Sequence, residues 1–311
     1  MESTVGSLTP TALTRALTTG ELRVETGPFV TRMQSPLPDV ARAVGALYAH
    51  HRLADEQAFV DFEVCVRRPH GLRRWHQPQV IFGMGGQWPF NPLPGDQGLP
   101  LLEWGMNWCV YGHAHQYLIL HAAVLEKNGR ALILPAPSGS GKSTLCAALS
   151  FSGWRLLSDE LTLIDPVDGR IVPIPRPVSL KNQSIEVIRQ FAPTVRFGSS
   201  VSETVKGTVA HFAPAASAVA RRRERAQPGW VVLPRYVPDS PCRLVREERA
   251  TTLMRLVENS FNYPIFGAEG FALLGQVVSQ SQCFSFEYSQ IDQAVALFAK
   301  LAAGETLDDA T

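Results

Sequence analysis

The run Ala136-Pro137-Ser138-Gly139-Ser140-Gly141-Lys142-Ser143-Thr144 constrains the fold more than any other segment. An apolar run, Ala131-Leu132-Ile133-Leu134, precedes it, and Leu145, Ala148 and Leu149 follow at helical spacing. A strand that turns through a glycine-rich loop into a helix gathers backbone N–H groups and the positive end of the helix dipole at one point. Such a point suits a polyphosphate, provided no side chain obstructs the backbone. Gly139 and Gly141 supply that openness. In this pattern the Lys142 ammonium bridges terminal phosphates and the Ser143 hydroxyl ligates Mg²⁺, with Ser138, Ser140 and Thr144 completing the nucleotide-binding set. ATP and Mg²⁺ are the expected cofactors. The first position is Ala136, so either the loop begins differently or that position needs no positive φ.

Ser158-Asp159-Glu160 ends the next strand-like run, Arg155 to Ser158. The carboxyl ends of strands are where α/β sheets place ligands. Phosphoryl transfer needs one carboxylate on the metal and another on the acceptor's hydroxyl. Adjacent residues on an extended strand point apart, so a turn is needed to bring both acids to one site. His121, at the end of the apolar run Tyr117 to Leu120, could tune a nearby carboxylate.

These elements resemble the HPr kinase/phosphorylase family. The likeness runs from Leu120-His121 through Ala136–Thr144 to Arg155–Glu160, and extends to the branch of HPr kinase-related proteins that includes kinases of lasso-peptide precursors. The resemblance implies a cytoplasmic, bacterial kinase with a P-loop core of the PEP-carboxykinase type. It implies Asp159, His121 and Lys142 as catalytic residues, with Asp159 the general base and His121 its helper. Ser143 and Glu160 would face the metal. Glu160 stands where that family has a second Asp, and its later acidic metal ligand has no counterpart in Arg176–Asn182. Those departures count against a second metal contact and the reverse phosphorylase reaction. The N-terminal part shows no likeness to that family's, so HPr is a poor acceptor, and a Ser or Thr hydroxyl of a peptide or small protein, such as a ribosomally made precursor, is the better one. The alternatives are a non-catalytic ATP-binding regulatory module and a small-molecule kinase.

A length of 311 residues favours two domains over one. The texture changes between residues 103 and 116. We therefore expect a mixed α/β (α+β) N-terminal domain over 1–110 and a P-loop kinase domain over 111–311, an α/β protein as a whole. Helices are expected at Thr11–Thr19, Val40–Arg52, Glu103–His113, Ser184–Phe191, Ala250–Ser260 and Phe271–Ser279. Strands are expected near 60–66, 117–120, 124–125, 131–134, 155–158 and 283–288. A hairpin of 161–164 with 171–174 is expected around the Asp165–Gly169 turn, and Ser289 with Asp292 reads as a capping box for a last helix.

A net charge of +1 argues against partnership with nucleic acid or a membrane surface. Cys65, Cys109, Cys146, Cys242 and Cys283 form no C-x-x-C pair, which fits a reducing cytoplasm. The start of the chain shows no secretory signal. Homo-oligomerisation stays open. Lysines are scarce, so Lys181 and Lys206, with Arg176, are candidates for contacts to transferring phosphates. Arg221–Arg225 reads as a mobile, solvated charged loop. His113-x-His115 lacks a third metal ligand, and Trp75, Trp88, Trp104 and Trp108 read as core.

Overall fold

The computed structural model describes residues 3–71, 76–137 and 139–305. Trp75 and Ser138 lie outside the described residues. The chain is a mixed α/β protein with several sheets.

The N-terminal sheet runs in the order β1 (Leu22–Thr26), β2 (Phe29–Gln34), β3 (Phe62–Arg67), β4 (Gln79–Met84) and β5 (Leu93–Pro94). Helices α1 (Pro10–Thr19), α2 (Pro38–Leu47) and α3 (Gly98–His113) accompany it. Local chemistry sets α1. The Thr9 side chain accepts from Ala12 N–H, Pro10 opens the first turn, and Gly20 closes it in the left-handed conformation.

The larger sheet holds β6 (Leu118–Lys127), β7 (Arg130–Pro135), β8 (Arg155–Ser158), β9 (Leu161–Ile164) and β10 (Ile171–Val172). A small sheet follows, made of β11 (Val178–Lys181), β12 (Val201–Thr204) and β13 (Gly207–Phe212). The larger sheet is completed by β14 (Gln227–Tyr236), β15 (Arg243–Arg246) and β16 (Gln282–Tyr288). The helices of this part are α4 (Lys142–Phe151), α5 (Gln183–Phe191), α6 (Ala216–Ala220), α7 (Arg249–Glu258), α8 (Tyr263–Gln280) and α9 (Ile291–Ala303).

Strands β7, β14 and β16 run parallel, while β6 pairs antiparallel with β7. Alternation splits β7 between two cores. Leu132 and Leu134 pack with α4 and α9, whereas Ala131 and Ile133 pack with α7 and α8. A sheet covered on both faces reads as a continuous apolar run, which is how β6 and β7 read. The first core, beneath the N-terminal sheet and α3, also takes in Ile119, Leu161, Leu163 and Ile174.

Several expectations are corrected. Residues 118–120 and 124–125 belong to one strand, β6, whose two halves pair with β9 and β7. His121 is therefore mid-strand. Strand β14 was not expected, because Pro228 and Pro234 punctuate it. The Ser289 hydroxyl donates to Ser240 O at 2.8 Å instead of capping α9, whose N-cap is Gln290. The Arg221–Arg225 segment is tied down. Arg222 is 7% exposed and donates to Glu25 at 2.9 and 2.5 Å, and Arg155 donates to the carbonyls of Arg221 and Glu224 at 3.0 Å. All five cysteines are free. Among the described residues no helix is long and apolar enough to cross a membrane.

Candidate functional site

The glycine loop joins β7 to α4. Gly139 and Gly141 have φ of +88° and +84°, which side chains rarely adopt. Ala136 has no positive φ, so its methyl costs the turn nothing. A Cβ on Gly141 would lie 2.4 Å from Tyr288 Oη. That hydroxyl donates to Gly141 O at 2.8 Å, and Tyr236 N–H donates to Ser140 O at 2.9 Å, so the parallel strands hold the loop carbonyls. Helix α4 has no side-chain cap among the described residues. Its first N–H groups therefore lack intrahelical partners.

Lys142 is 6% exposed, and its Nζ has no hydrogen-bond partner. A buried ammonium without partners is costly, so it marks a place where an anion belongs. Ser140 Oγ is likewise buried and unpartnered. Ser143 and Thr144 are half-buried.

Asp159 and Glu160 occupy the bend between β8 and β9, and the bend turns both acids inward. The Ser143 hydroxyl faces Asp159, whose Oδ2 accepts Ser179 N–H at 3.3 Å while Oδ1 has no partner. Glu160 Oε2 lies 3.3 Å from His121 Nε2, and its Oε1 lies 4.0 Å from Lys181 Nζ. The expected partnership of His121 with Asp159 is thus a partnership with Glu160. Burial and the Glu160 carboxylate push the Asp159 carboxyl up. Burial would also raise Glu160, but the His121 hydrogen bond and the Lys142 and Lys181 ammoniums outweigh it and hold Glu160 low.

The phosphate-contact candidates divide. Lys181 is at the site, on Glu160. Lys206 lies over the Trp104 ring at 4.9 Å. Arg176 is drawn toward α3, hydrogen-bonding Asn107 and lying 3.6 Å from Glu103 Oε2.

The helix expected at Glu103–His113 is α3, but sequence reasoning did not place it at the site. Trp104 and Asn107 share a small cavity with Asp159, Glu160 and His211. His211 is 1% exposed, and burial with the Arg176 charge lowers it to about 4. The signal was the spacing of Trp104, Asn107, Trp108 and Tyr111, which puts them on one helix face. On the other side of the loop, at the carboxyl ends of β7, β14 and β16, a cleft of about 920 Å³ opens between Gly139, Tyr236 and Arg243.

Among the described residues no group of three or more His, Cys, Asp or Glu could hold a metal on its own. One carboxylate beside a hydroxyl still fits Mg²⁺, which takes few protein ligands and completes its shell with phosphate and water. The free Asp159 Oδ1 and Lys142 Nζ fit a bound polyphosphate and its cation.

A family model described as SynChlorMet cassette protein ScmC matches residues 101–177. That segment runs from α3 through the glycine loop and the acid pair, and most of the chain lies outside it. No curated protein matches the chain. Among solved structures, the HPr(Ser) kinase/phosphatase from Coxiella burnetii is similar over 60% of this chain and 95% of its own, at 10% identity and a TM-score of 0.26. At that level the functional reading rests on the site's own residues.

Proposed function

We propose that the chain is an ATP- and Mg²⁺-dependent phosphotransferase of HPr kinase-like type that acts on a Ser or Thr hydroxyl of a peptide or small protein. The carrying observation is the buried, unpartnered Lys142 ammonium at the mouth of an uncapped helix, beside two inward-facing acids. In this reading residues 111–311 are the kinase unit, 1–110 lend it α3, and the free cysteines accord with the cytoplasm.

The loop from Gly139 to Thr144 would cradle the phosphates. The cleft beyond it, at about 920 Å³, has room for a nucleoside. Ser143 and Glu160 would hold Mg²⁺, whose charge offsets that of the phosphates. Glu160 Oε2 already faces the His121 ring and its Oε1 the Lys181 ammonium. Asp159 Oδ1 is the free acceptor, and it would take the hydroxyl proton. As the acceptor oxygen bonds to the γ-phosphorus, the bond to the β–γ bridging oxygen breaks and ADP leaves with that electron pair. Lys142 and Lys181 neutralise the charge in flight. Positioning and electrostatics supply most of the rate.

The test is label transfer from γ-labelled ATP to a Ser/Thr peptide library. Wild type should label peptides, and Asp159→Asn should bind ATP without transfer. Asp159→Asn transferring at the wild-type rate would refute the role of Asp159. ATP binding with no labelled acceptor would instead favour the non-catalytic module.

A further inference from the structure

We propose that the partly buried face of α3 that borders the acids, together with Phe261, is the wall that recognises the acceptor. It takes an extended peptide in which the acceptor hydroxyl is flanked by an aromatic residue on one side and an acidic residue on the other. This rests on the phosphotransfer reading.

From Gly98 to Tyr111, the residues of α3 that are not fully buried are Trp104, Asn107, Trp108 and Tyr111. They form one stripe, since positions three and four apart share a face. One end of the stripe reaches the acids, because Trp104 and Asn107 line the cavity of Asp159 and Glu160. The other end meets an aromatic surface. Tyr111 stacks on Phe261 at 4.6 Å and 12°, and Phe261 lies 5.7 Å from the His121 ring. Phe261 is 42% exposed, yet its backbone is fixed. Phe261 N–H donates to Ile119 O at 2.9 Å, and His121 N–H donates to Asn259 O at 2.7 Å. A rigid, exposed ring beside a catalytic cluster is the kind of group that anchors a partner's apolar side chain.

Charge identifies the opposite end. Lys206 lies on Trp104, among the charges of Glu160, Lys142 and Lys181, and within 4 Å it meets no carboxylate among the described residues. An acidic side chain on the acceptor would complete it. The span also fits. The seven helical steps from Trp104 to Tyr111 rise about 10 Å, the length of roughly three extended residues. Successive side chains of an extended segment alternate, so the two neighbours meet the wall while the hydroxyl turns toward Asp159.

The experiment uses the full chain, γ-labelled ATP and Ser-centred peptide libraries randomised at both flanking positions, with Phe261→Ala, Tyr111→Leu and Phe261→Tyr beside wild type. Thermal melts check that each variant is folded. Wild type should select an aromatic residue on one flank and Asp or Glu on the other. Phe261→Ala and Tyr111→Leu should raise the peptide KM roughly 10-fold, the loss of one good aromatic contact, with kcat and the nucleotide KM unchanged. Phe261→Tyr should restore the peptide KM. Transfer without flanking preference, or an unchanged peptide KM in folded Phe261→Ala, overturns this inference alone. Nucleotide binding with no peptide labelled overturns the phosphotransfer reading and this inference with it.

Discussion

His121 Nε2 lies 3.3 Å from Glu160 Oε2, while the Asp159 carboxyl turns toward Ser143 and the Ser179 N–H. The bend between β8 and β9 therefore gives two adjacent acids separate surroundings. In the proposed reading, His121 would orient Glu160 from outside the metal's immediate shell. Such partners are worth about 10- to 100-fold in metal affinity or activity. We expect His121→Leu to raise the Mg²⁺ concentration for half-maximal transfer by about that factor, with nucleotide binding nearly intact. A Mg²⁺ titration of label transfer checks this.

The surroundings of Asp159 cost the unliganded fold stability. Burial and Glu160 push its carboxyl up, so its charge is disfavoured in the folded state. An acid raised on folding destabilises above its folded pKa and is neutral in its effect below its unfolded value, near 3.8. Asp159→Asn should therefore stabilise the nucleotide-free protein at pH 8, with the gain vanishing near pH 4. Chemical denaturation at the two pH values reads it. A gain as large at pH 4 would show that charge is not the cause.

Two buried imidazoles act in the acid range. Burial lowers His51 to about 4, and its Nε2–H donates to Pro175 O at 2.8 Å. His211 is lowered to about 4 as well. The unfolded chain takes up these protons first, as pH falls through about 6.5. Stability should therefore drop between pH 6.5 and 4, by up to about 3 kcal/mol per histidine. Denaturation midpoints at pH 7, 5.5 and 4.5 would show the slope, and His51→Gln should flatten it by one proton.

The Glu25–Arg222 pair joins β1 to the segment before β14, both partners being 7% exposed. Removing Arg222 leaves the buried Glu25 carboxylate to Arg52 at 3.4 Å and Arg223 at 3.5 Å. Arg222→Met should therefore cost about 1.5–3 kcal/mol, the loss of a charged hydrogen bond, whereas Arg42→Met, on an exposed pair with Asp39, should cost under about 1 kcal/mol. Urea denaturation compares the two.

Much of the loop was legible because its chemistry is local. Strand, glycines, lysine and helix stand in one run, and those glycines take positive φ. The acids were legible for the same reason, and so was the need for a bend between them. Pairings across the fold were not. His121 meets Glu160 only because β6 pairs with β9, and a single side chain carries no record of its partner. Trp104 read as core because an aromatic stripe at helical spacing has the same pattern whether it packs inward or lines a cleft. Arg222 read as solvated because a charge run does not show that one of its members finds a buried carboxylate 197 positions away.

Calorimetric titration of a non-hydrolysable ATP analogue with Mg²⁺, into wild type and Lys142→Met, tests most directly whether a triphosphate neutralises the buried ammonium. We expect one site in wild type and a loss of about 100-fold in Lys142→Met, the size of a lost charge-assisted hydrogen bond or two. No binding by wild type, or equal binding by folded Lys142→Met, would contradict the nucleotide site itself.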